Sequence, residues 1–305
     1  MWFKNAIAYR FTRNVELKAN ELEAQLEEFK FQPCGTTKIK SFGWTQPLGE
    51  HGEMFSHFAN GAILLAAKDE QKLLPTATIK KETNIAVLAE EALTGFPVKK
   101  TQKDSIRDAV IARLIPQAFT KEKTTKLLII PSKQLIIVDA SSFKAAEDAL
   151  ALLRKTIGSL PVVPLCSSNA ISLVMTNWLK GSLSVPTGFK VGDAVELLAI
   201  DEAASRAKLS NESLIGNFEV ESHIEANKQV VKLALDWQDR ISFKFAPDYS
   251  VKGIKFSDEL KDQNEDIDRE DVAQRLDADF CLMVGELTAF YDDLAKTFPI
   301  EKEQN

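Results

Sequence analysis

The chain has 305 residues, 45% of them apolar and 27% charged, with a formal net charge of −6. That length suits one elaborate domain or two ordinary ones, and the acidic balance argues against a uniformly basic nucleic-acid binder. No apolar run approaches the roughly 20 residues that span a bilayer, and the opening residues lack a signal peptide's apolar stretch, so a cytoplasmic protein without a membrane partner is expected.

Ile7, Tyr9 and Phe11 alternate as a half-buried strand does. Asn20 followed by Glu23 has the form of a capping box and predicts a helix that buries Leu22, Leu26 and Phe29. Residues 62–66 read as a second strand. From 76 to 125 strand signals are scarce; this insertion should be helical and protrude, with Thr101 and Asp104 as a cap and Pro116 as a later break. Residues 127–130 and 135–138 flank Pro131-Ser132-Lys133-Gln134 as a hairpin. Ser141 and Ser142 offer caps to a helix over 143–157 that stops at Gly158, before the apolar run 161–165.

Residues 184–192 read as a connection and 194–207 as a helix. Val231, Leu233, Leu235 and Trp237 then alternate, as do Ile241, Phe243 and Phe245, and Ile254 with Phe256. These residues predict a meander turning at Gln238-Asp239 and Pro247-Asp248. Residues 272–298 are helical in pattern and should cover that sheet, leaving 301–305 as a frayed tail. The expected fold class is α+β, with mixed antiparallel sheets, packed helices and a protruding helical finger. An N-terminal α+β region would comprise 1–75 and 126–165, the basic finger 76–125, and a C-terminal α+β region 166–305.

Charge is segregated along the chain. Residues 96–126 hold eight basic side chains (Lys99, Lys100, Lys103, Arg107, Arg113, Lys121, Lys123 and Lys126) against three acidic ones, while residues 258–279 hold ten acids against three bases. A locally positive surface of this kind is what a phosphate backbone senses. A lysine-rich stretch is also the ordinary composition of a solvated face. Yet Lys99, Lys100 and Lys103 would surround the positive end of a helix starting near Thr101, where each cation costs roughly 0.3–1 kcal/mol. Anion binding by ammonium groups and helix-start N–H groups explains such a placement, whereas local stability does not. Phe119, beyond the Pro116 break, could stack on a base, return to its own core or fill a partner's pocket; the polar insertion favours the partner contact.

Other constellations are weaker. His51, Glu53 and His57 lack the i, i+4 spacing and the third ligand of a zinc site, and the solitary His223 reads as structural. Cys34, Cys166 and Cys281 are odd in number and widely spaced, and read as reduced, mostly buried thiols. Asp248 with Glu259-Leu260-Lys261 imitates a magnesium-dependent nuclease, the enzymatic alternative, which needs these carboxylates to converge on one metal. No phosphate-loop, dinucleotide or serine-elbow motif is present, so neither a catalytic residue nor a cofactor is assigned.

Longer strings carry a family likeness. Trp2-Phe3-Lys4-Asn5, Phe31-Gln32-Pro33-Cys34-Gly35, Ala59-Asn60-Gly61, Lys103-Asp104-Ser105 and Leu152-Leu153-Arg154-Lys155 resemble the bacterial RdgC family. So do Gly158-Ser159-Leu160-Pro161-Val162-Val163-Pro164-Leu165, Leu233-Ala234-Leu235-Asp236-Trp237-Gln238 and the run 262–271. The likeness spans essentially the whole chain in the family's order. It implies a non-catalytic, nucleoid-associated protein that binds single- and double-stranded DNA with little sequence preference and restrains RecA-promoted recombination. It further implies a horseshoe-shaped subunit and a ring-shaped homodimer with a positive central hole. Lys99, Lys100 and Lys103 match basic positions of the family's finger and Phe119 an aromatic near its tip where subunits meet, while Lys80 and Lys81 fall in a further basic stretch expected near the hole. At Lys208-Leu209-Ser210 relatives can carry an additional Lys and a Gln, so a DNA or dimer contact there is not carried over.

Overall fold

The computed structural model describes residues 2–201, 204–268 and 270–300, so the expected tail at 301–305 and Arg269 of the acidic run lie outside the described residues. The first strand, β1 (Asn5–Phe11), organises the rest. Its start pairs with β12 (Val251–Phe256), with Asn5 opposite Lys252, while Ile7 to Arg10 pair with β6 (Leu135–Val138) and its end with β7 (Val162–Pro164). One strand thus belongs to three ladders, and through those with β6 and β12 it fuses the two halves of the chain. The Asp139 carboxylate sits at that joint and accepts the N–H groups of Asn5 and Lys4 at 2.9 and 3.3 Å.

The N-terminal half adds β2 (Lys40–Thr45), β3 (Ser56–Ala59), β4 (Ala62–Lys72) and β5 (Thr120–Ile130). The C-terminal half adds β8 (Phe189–Ala199), β9 (Arg206–Ser210), β10 (Lys228–Trp237) and β11 (Ile241–Phe245). The twelve strands form one sheet in the order β2-β4-β5-β6-β1-β12-β11-β10-β8-β9, with β3 beside β4 and β7 beside β1. Every strand pairing within it is antiparallel. With its helices this is an α+β fold, as expected.

The period-2 pattern decides what each face buries. Ile7, Tyr9, Ile63, Leu65, Leu127, Ile129, Ile136 and Val138 point to one side, where α1 (Ala19–Glu28) and α4 (Phe143–Ile157) cover them. Ala6, Ala8, Leu64, Leu128 and Ile137 point to the other and join the larger core, which continues under the C-terminal half. There α5 (Ile171–Leu179), α6 (Phe218–Glu225) and α8 (Val272–Thr297) supply Trp178, Val220, Phe280, Leu287 and Phe290. Phe290 packs edge-on against Trp237 and Phe243, so the terminal helix covers the meander as its pattern predicts.

Several local expectations are corrected. Of the helix expected over 194–207, 194–199 belong to β8 and 206–207 to β9, with 202 and 203 outside the described residues: Val195, Leu197 and Ala199 alternate inward on β8, whose pairing with β10 outweighs the helix propensity of its Ala, Glu and Leu residues. Asn20 is not a cap, because α1 begins at Ala19; Glu23 instead accepts the N–H groups of Phe55 and Ser56 at 2.6 and 3.0 Å and so anchors β3. Of the three thiols only Cys34 is buried, Cys281 being half-buried and Cys166 exposed. The caps at Ser142 and the stop at Gly158 are as read.

Candidate nucleic-acid interface

The insertion is a helical hairpin of α2 (Thr76–Thr94) and α3 (Lys100–Leu114), rising from the end of the β4–β5 ribbon. Within these two helices only Thr83 and Val110 are buried, so nearly all of the hairpin's surface faces solvent. Its connection is built to turn sharply. Gly95 ends α2 at φ 72°, a left-handed conformation that glycine adopts without a Cβ clash, and its N–H returns to Glu91 O at 2.9 Å. The Glu91 carboxylate then accepts Val98 N–H at 2.9 Å, and Gln102 Oε1 accepts Lys99 N–H at 3.0 Å. The cap is therefore Gln102 reaching back to Lys99 N–H, not Thr101 with Asp104, because the helix starts two residues earlier than a Thr101 cap requires.

This turn places Lys99, Lys100 and Lys103 around the N-terminal end of α3, all exposed. Arg107 lies midway along α3. Arg113 is committed to Glu82 of α2 at 2.7 Å, which clamps the hairpin near its base and occupies that guanidinium. Lys80 and Lys81 are exposed on the basal half of α2. The hairpin thus spreads its cations over roughly 20 Å from Lys100 to Arg113, at 1.5 Å rise per residue.

Lys121 and Lys123 are not on the helical insertion, because β5 already begins at Thr120. They lie opposite Gln71 and Asp69 and share the sheet face of Leu127 and Ile129. Among the described residues Lys80, Lys81, Lys99, Lys100, Lys103, Arg107, Lys121 and Lys123 make no ion pair. Lys126 differs: it is half-buried, and burial holds its ammonium below the ordinary lysine value despite Asp139 nearby.

Phe119 is 85% exposed, but it is not near the tip. Its carbonyl accepts Leu73 N–H at 2.7 Å, next to the Lys72–Thr120 pair, which fixes it at the base where the hairpin rejoins the sheet; the tip aromatic is Phe96. Leu73 is itself half-exposed beside it, so the base carries an apolar patch without a core of its own.

The nuclease constellation does not assemble. Asp248 sits in the β11–β12 turn, where it accepts Ser250 N–H at 3.1 Å, whereas Glu259 follows the far end of β12 on α7 (Asp258–Lys261). Six strand residues put about 20 Å between them, too far for one metal. Lys261 pairs with Asp258 at 3.2 Å. Nor does the histidine segment make a metal site: His57 lies on β3 against Asp277 at 2.9 Å and Phe280, while His51 and Glu53 line a shallow pocket with Glu270 and Asp271. Among the described residues no group of three or more His, Cys, Asp or Glu side chains is placed to hold a metal. No described helix is long and apolar enough to cross a membrane.

A continuous antiparallel sheet, helices on both of its sides and an exposed hairpin studded with unpaired cations define an α+β protein with a basic projection. The chain belongs to the RdgC family: the family model described as "Putative exonuclease, RdgC" matches residues 1–301. Relatives named "Recombination-associated protein RdgC" from Salmonella paratyphi B, Salmonella newport and Salmonella typhi are each 46% identical over 296 residues, covering 97% of both chains.

Proposed function

We propose that this protein binds single- and double-stranded DNA without sequence preference, and that two horseshoe-like subunits close into a ring-shaped homodimer that encircles the duplex and restrains RecA-promoted recombination on the nucleoid. The observation that carries the reading is the exposed α2–α3 hairpin, whose lysines have no ion-pair partners among the described residues and surround a positive helix end. Ammonium groups in that setting gain by displacing the counterions condensed on phosphates, a contact that reads no bases. The recombination-associated name of the relatives supports the biological setting. Coated DNA hinders a recombinase filament by competition for the backbone, and ring closure leaves bound DNA only its ends or an opened interface as exits. This mechanism requires no bond cleavage, metal or cofactor.

The test is a salt titration of binding. Lys99→Ala with Lys100→Ala should weaken binding to all sequences alike and lower the slope of log K against log salt by up to about two. A wild-type slope refutes the finger assignment. Repeating the titration with magnesium, followed by denaturing electrophoresis, should return intact strands; nicked DNA would restore the nuclease reading.

A further inference from the structure

A second concentration of cations lies far from the hairpin in sequence, on the solvated face of the C-terminal half of the sheet. The opposite face of these strands is covered by α8. On the open face Lys244 of β11 stands directly opposite Lys252 of β12, and Lys255 lies further along the same strand opposite Ser242. Like charges at directly opposed positions, with Cβ atoms about 5 Å apart, destabilise a sheet. None of the three has an ion pair among the described residues, although carboxylates are nearby. Glu196 is taken by Lys232 at 3.0 Å and Lys208 at 3.7 Å, Asp239 by Lys190 at 2.6 Å, and Asp236 accepts Asp239 N–H at 2.8 Å. Fold stability therefore does not account for this lysine group.

Lys244 and Lys255 border an open groove of about 740 Å³ that is lined also by Gly192, Ala234 and Gly253 and by the segment from Asn211 to Ile215, while Lys252 lies opposite Lys244 outside that lining. Asp193, Glu212 and, on β10, Asp236 also line the groove, so an anion entering it is drawn to the edge that Lys244 and Lys255 border. The Asn5–Lys252 pairing carries this face across β1 to the side of Ile7 and Tyr9, which is also the side of Lys121 and Lys123.

We infer that Lys244, Lys252 and Lys255 form a second DNA-backbone contact, which seats phosphates on the open sheet face while the hairpin holds the strand elsewhere. This rests on the reading that the chain binds DNA, but not on the finger assignment.

The test is the variant Lys244→Ala with Lys252→Ala and Lys255→Ala, titrated with salt beside the finger variant, on an oligonucleotide and on its duplex. The slope should fall by up to about three for the duplex and about two for the single strand. A fall with one form only would identify which DNA the groove seats. In the unaltered protein, saturating DNA should also slow acylation of these three lysines, a readout independent of how the variant folds. A wild-type slope with both DNAs, or acylation indifferent to DNA, overturns the proposal. A wild-type slope in the finger variant alone sinks the finger assignment and leaves this one standing.

Discussion

Glu196 shows how single side chains set the charge balance of this surface. Burial works to raise its carboxyl pKa, but the hydrogen bond and charge of Lys232, with Lys208 and Arg206 beyond, outweigh burial and hold it below the ordinary value of 4.5. A carboxyl whose folded value is depressed stabilises the fold above its unfolded value, and that contribution fades as pH falls through the folded one. Glu196→Gln should therefore cost about 1 kcal/mol or less at pH 7, with the difference from wild type shrinking in acid; thermal melts across that range check it. A difference that grows in acid would mean that Lys232 and Lys208 do not hold the ionised form. Lys244 and Lys252, which have no such carboxylate, are the contrast that makes their opposition informative.

At the scale of elements, the hairpin and the strands beneath it differ in what secures them. β5 and β6 bury Leu127 to Ile130 and Leu135 to Val138 on both faces, while α2 and α3, nineteen and fifteen residues long, bury one residue each. Opening free energy follows buried contact, so amides of α2 and α3 should exchange through low-energy local openings while those of β1 and β6 await global unfolding. Native-state hydrogen exchange reads this directly; equal protection would mean that the hairpin is sheltered by something besides its own contacts. The meander illustrates a smaller effect. Its alternation predicted Val231 inward, yet an irregularity between Val230 and Lys232 buries Val230 instead, because an extra residue in one strand reverses the side-chain parity beyond it.

For the whole molecule, the exposed Phe119 and Leu73 at the hairpin base are the apolar patch that the proposed dimer would cover. Truncating an aromatic anchor typically costs 2 kcal/mol or more when it fills a partner's pocket. Phe119→Ala should accordingly raise the dimer dissociation constant about thirtyfold and shorten retention on closed circular DNA. Sedimentation at several protein concentrations measures the first effect, and unchanged mass together with unchanged retention would remove Phe119 from the interface. The acidic run stands apart from the hairpin, through α7 and the start of α8, with Asp279 accepting Asn264 and Asp277 against His57. The negative average of the chain is therefore compatible with a positive projection.

Local pattern alone determined much of this protein. The Ser142 cap and Gly158 stop bound α4, period-2 runs located β1 and the meander, apolar runs flanking 131–134 located the β5–β6 hairpin, and the scarcity of strand signals marked the helical hairpin with its lysines, because each of these signals lies within a few residues of its effect. The rest depended on distant partners. That 194–199 is a strand follows from β10, that Glu23 is an anchor follows from β3, and that Asp248 and Glu259 are apart follows from the length of β12 between them. Tertiary structure also decided which lysines share a surface. Lys252 and Lys255, three residues apart, share a face only through the irregularity at Gly253, and only the antiparallel register, which is set by pairing and not by composition, brings Lys244 and Lys252 face to face.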